Sequence, residues 1–66
     1  MTRMDIYGWL SLIKRAVDQD LKAEDDLDSI TYDQLDSISR DLHNAIISRD
    51  IVLGCRAVNR YYHMLH

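Results

Sequence analysis

Two stretches of this chain carry apolar residues at alternating three- and four-residue steps, and the two sets do not share a face. The first is Leu35, Ile38, Leu42 and Ala45; the second is Ile51, Cys55, Val58, Tyr62 and Leu65. Such spacing marks amphipathic helices. On one unbroken helix, at about 100° per residue, the second stripe would stand roughly 160° from the first. Either the chain turns near Ser48-Arg49-Asp50, or one long helix offers opposite faces to two partners. Strands are not expected. Pro is absent and Gly occurs only at positions 8 and 54, whereas strand and hairpin folds need regular turn residues.

The pattern predicts an all-α chain of one domain over residues 1–66. Helix 1 is expected at about 3–23, an acidic linker at 24–30, helix 2 at about 31–47 and helix 3 at about 50–65. Matched helix lengths favour a small three-helix bundle. The alternative is a dimeric helical hairpin whose C-terminal helix runs ~50 Å. Thr2 with Asp5, and Thr31 with Gln34, have the spacing of capping boxes. Along helix 1 the apolar residues Ile6, Trp9, Leu10, Ile13, Ala16, Val17 and Leu21, widened by Tyr7 and Leu12, cover an arc of roughly 220°. A single core contact needs only about 100°, so helix 1 is expected to meet neighbours on more than one side. Gly8 costs ~1 kcal/mol within that helix relative to Ala, and a close helix crossing there would account for it.

A chain of 66 residues buries only about 60% of its unfolded surface, and small scaffolds need disulfides, a metal or a partner. The lone cysteine, Cys55, cannot form an internal disulfide. Cys55, His63 and His66 bring nitrogen and sulfur together, but zinc sites of the structural kind want four ligands and no fourth is evident. Cys55 on an apolar stripe reads as a small core residue. No metal, cofactor or catalytic group is therefore expected, and the chain does not read as an enzyme. No apolar run approaches a membrane span, and no signal-peptide pattern is visible. The cytoplasm is the expected location.

What remains points to contact with another macromolecule. Eight acids and one base lie between Asp18 and Asp36; four Arg, two Asp and three His lie beyond it. Tyr7, Leu12, Tyr32, Ile47, Tyr61 and Met64 fall off the predicted stripes and are the candidate contacts for a protein partner. Trp9 and Tyr62 lie on the stripes and are expected in the core. Asp25, Asp26 and Asp28 would steer a basic partner. The expected function is a small regulator or inhibitor, of the sort phages and plasmids encode, that modulates a larger protein, with a homodimer covering part of its surface. Two alternatives remain open. Arg56, Asn59 and Arg60 on helix 3 could read base edges in a major groove, although a net charge of −3 is unlike nucleic-acid modules. The acidic middle could also mimic a phosphate backbone and block a basic groove.

Overall fold

The computed structural model describes residues 5–23 and 28–65, apart from the side chains of Ala23 and Leu65. They form three helices in an all-α bundle: α1 (Ile6–Ala23), α2 (Ser29–Ser48) and α3 (Ile51–Leu65). No helix among them is long and apolar enough to cross a membrane. The chain turns between α2 and α3, so the long-helix arrangement does not occur.

Aspartates start the helices. The Gly8 N–H donates to Asp5 Oδ1 at 2.7 Å, the Thr31 N–H to Asp28 Oδ1 at 2.6 Å, and the Leu53 N–H to Asp50 Oδ1 at 3.1 Å. Each carboxylate satisfies an N–H that has no helical acceptor and sits at the positive end of the helix dipole. This corrects the sequence reading at the predicted box of α2. Asp28 rather than Thr31 is the cap of α2, and Ser29 and Ile30 belong to that helix. Asp5 is the cap of α1, which begins at Ile6; Thr2 lies outside the described residues.

The turn uses a residue that seldom takes its conformation. Arg49 adopts φ 57° and ψ 41°, the left-handed region, where a non-glycine residue costs about 1 kcal/mol. Two features offset that strain. The Asp50 N–H reaches back to the Ala45 carbonyl at 2.9 Å, as in a Schellman-type helix end. Tyr7 of α1 also clamps the arginine: its hydroxyl donates to the Arg49 carbonyl at 2.9 Å, and its ring lies 4.7 Å from the guanidinium carbon.

The core consists of Leu10 and Val17 from α1, Leu35, Ile38, Leu42 and Ala45 from α2, and Ala57, Val58 and Tyr61 from α3. The α2 stripe is as predicted. The α3 stripe is turned by about one residue: Gly54, Ala57 and Tyr61 face inward, while Cys55 and Tyr62 are exposed. Gly54 explains the shift. A Cβ built there would lie 2.6 Å from Leu10 Cδ1 and 3.5 Å from Ala45 Cβ, so any larger residue would force the Leu10 side chain to move. The close crossing thus falls at Gly54, in α3. With Tyr7 beside Arg49 at one end and Asp20 beside Tyr61 at the other, α1 and α3 run parallel, and α2 runs against both. Each packs mainly on α2; their mutual contact is slighter.

Candidate interaction surface

The interfaces with α2 are tied by polar side chains. Asp18 accepts from the Ser39 hydroxyl at 2.6 Å and from Lys14 Nζ at 2.8 Å. Burial pushes the Asp18 carboxyl up, but those two hydrogen bonds and the nearby lysine charges outweigh it, so its pKa is lowered. Ser39, a polar residue of α2, is consequently buried. Across α2 and α3, Arg60 donates to Asp41 Oδ2 at 2.6 Å and to the Ser37 hydroxyl at 3.0 Å. Asp28 is occupied as well: Thr31, by its side chain first and its backbone N–H second, lowers the pKa of that carboxyl.

These ties revise the expected contact set. Tyr61 belongs to the core, 7% exposed, because its hydroxyl donates to Asp20 at 2.6 Å across α1 and α3. Burial, then the Asp20 hydrogen bond and charge, push the phenol up to about 12. Tyr7 and Met64 are half-buried and pack against the core. Leu12, Tyr32 and Ile47 are exposed, as expected. Asp25 and Asp26 lie outside the described residues. Arg56, Asn59 and Arg60 are all exposed, and Arg60 is in addition tied to Asp41 and Ser37 of α2. Cys55 is exposed rather than buried, His66 lies outside the described residues, and no cluster of potential metal ligands occurs among those described. A shallow groove of about 540 Å³ between α2 and α3 is lined by Gln34, Ile38, Arg60, His63 and Met64.

Apolar surface is left open on α2, at Ile30, Tyr32 and Ile47, and also on α1 and α3. Trp9, predicted inside, is 36% exposed; Ile6, Leu12, Val52 and Tyr62 are between 45% and 60% exposed. Their directions follow from the contacts of their helices. On α1, Lys14 and Asp18 point toward α2, and Leu10 and Asp20 toward α3. Continuing around the helix in the same sense, at about 100° per residue, one meets Ile6, Ile13, Trp9, Ala16 and then Leu12. On α3, Arg60 points toward α2, and Gly54 and Tyr61 toward α1. Continuing past Tyr61 brings Val58, Ile51, Tyr62 and Cys55, whereas Val52 stands about 160° from Gly54 and points away from α1. The two helices are parallel, so these strips flank one seam, on the side of the bundle opposite α2.

Hydrophobicity predicted the presence of this surface but not its composition. Trp9 and Tyr62 were missed as surface residues because their types and spacing match core positions. The wide arc of helix 1 was the available signal: more apolar surface than one neighbour covers. No protein-family model, curated protein or solved structure matches this chain.

Proposed function

We propose that this chain is a small protein-interaction module that modulates or inhibits a larger protein by binding it through the outer face of α1 and α3. The observation that carries this reading is the seam itself. Ile6, Trp9 and Leu12 from one helix and Tyr62 from the next lie exposed on one side of the bundle. Contiguous apolar surface of this kind marks interaction sites, and Trp and Tyr are the residues that most often dominate them. The acids contribute less than the sequence implied. Asp18, Asp20, Asp28 and Asp41 are engaged within the chain, which takes weight from a phosphate-mimic role.

The test compares proteins retained from a lysate by the native chain with those retained by two double variants. Trp9→Ser with Tyr62→Ser alters the seam; Tyr32→Ser with Ile47→Ser alters exposed apolar residues of α2. The same proteins should be lost with the first variant and kept with the second. Equal retention by both, or recovery of nucleic acid with no protein, contradicts the proposal.

A further inference from the structure

We infer that the outer flank of the α1–α2 groove is a binding site for a phosphate group, free or carried by a small molecule. It lies on the side of α1 away from the apolar seam and does not depend on the interaction reading.

Helix geometry gathers nitrogen donors on that flank. α1 and α2 run antiparallel with Asp18 against Ser39, so Lys14, about one turn before Asp18, comes level with His43, about one turn after Ser39. At about 100° per residue, Arg15 follows Asp18 by about 60° around α1, on the side away from Asp20 and α3. On α2, His43 and Arg40 follow Ser39 by about 40° and 100°, on the side away from the core. Lys14, Ser39, Arg40, His43 and Asn44 line a shallow depression of about 290 Å³, and no acid is among them. That volume is near the lower end for small-molecule sites.

Two acids border the depression, and each holds one cation. Asp18 Oδ2 lies 2.8 Å from Lys14 Nζ, and Asp36 Oδ2 lies 3.2 Å from Arg40 Nε. Donors are left over. The Arg40 side chain is 78% exposed, and its two outer nitrogens make no hydrogen bond among the described residues. The same holds for the side chains of Arg15, His43 and Asn44, all exposed. Lys22 brings a second positive charge to bear on Asp18. Other acids of α2 are remote or engaged: Asp33 stands about 15 Å along the axis from His43, beyond the screening length at physiological salt, and Asp41 is held by Arg60. Converging N–H donors around a lining without carboxylates suit an anion with several oxygens, and the planar arginine fork meets phosphate with two parallel hydrogen bonds. A net charge of −3 disfavours an extended polyanion such as nucleic acid, whereas a single compact group feels mainly its nearest charges.

The test titrates inorganic phosphate and methyl phosphate into the intact chain at constant ionic strength, with sodium chloride as the control, and follows the NMR shifts of backbone and side-chain N–H groups. Saturable shifts are expected around Lys14, Arg40, His43 and Asn44, with a dissociation constant on the order of 1 mM, as two charge-assisted hydrogen bonds sustain. Tighter binding of methyl phosphate assigns the site to a phosphorylated small molecule, and tighter binding of inorganic phosphate assigns it to the free ion; either supports the site. Arg40→Gln with His43→Gln, both at exposed positions, should weaken binding at least about tenfold. Arg56→Gln, on α3, should leave it unchanged. Circular dichroism checks that each variant keeps the native helicity. Shifts that do not saturate, shifts that chloride reproduces, or undiminished binding by the double variant overturn the inference. Shifts centred on Arg60 and His63 place the phosphate in the α2–α3 groove and overturn it as well.

Discussion

The two sides of α1 are finished differently. Toward α2, Lys14 and Asp18 form a tied pair that also holds the buried Ser39, and α3 repeats the device with Arg60, Asp41 and Ser37. Away from α2, α1 is tied to α3 by the Asp20–Tyr61 hydrogen bond, and beyond that tie Ile6, Trp9 and Leu12 continue the apolar surface into the open. Polar cross-links fix register and orientation where helices are permanently joined. An apolar strip without them commits to no geometry and stays available to a partner. If the proposed reading holds, a small bundle shows its docking side where apolar surface continues beyond the last polar fastening between its helices.

Truncation should separate the two sides most strongly. Leu42→Ala, at a fully buried position, is expected to cost ~2–5 kcal/mol in urea unfolding. Similar losses for Leu12→Ala would erase the distinction between inner and outer faces. Next comes the tight approach of α1 to α3 at Gly54. Gly54→Val drives side-chain carbon into the space of Leu10, and overpacking of this kind costs about 1–3 kcal/mol; an unchanged midpoint would mean that the seam is looser than described.

Tyr61 gives a pH-dependent test of the same contact. Its phenol is raised above the ordinary value of 10.0 to about 12 in the fold. The folded chain therefore keeps this proton where the unfolded chain releases it. The stabilisation is complete below pH 10 and is lost as pH climbs from 10 to 12, an effect of about 1–2 kcal/mol. Alkaline unfolding of the native chain should show that slope, and Tyr61→Phe should flatten it. The smallest effect is expected on the open side. Leu12→Ser and Tyr62→Ser should each change stability by less than about 1 kcal/mol, while weakening partner binding far more.

The bundle was largely legible in the sequence because Leu35, Ile38, Leu42 and Ala45 are large or aliphatic, evenly spaced and flanked by polar residues. The break at Arg49 followed from the mismatch between stripes, although no Gly, Pro or Asn marks it; a tyrosine from α1 supplies what a turn residue normally would. The face of α3 was misjudged by about one position. Gly54 and Ala57 give almost no hydrophobic signal, yet small size is what buries them, and Cys55 and Tyr62 look apolar while standing outside. Tyr61 was assigned to the surface because its partner, Asp20, lies 41 residues away. Asp28 was read as linker because an acidic neighbourhood hides a capping residue. The exposed face shared by α1 and α3 depends on both helices at once, which is not a property of any single stretch of sequence.

Trp9 offers the most direct measurement. In the dilute, isolated protein its fluorescence should be quenched readily by acrylamide, to an extent that does not change on further dilution, while circular dichroism reports an intact helical fold. That outcome places the indole on an open face of a folded monomer, as required of a surface awaiting a partner. A Trp9 shielded from quencher in the dilute folded chain would mean that the seam is already closed, and the account would be wrong.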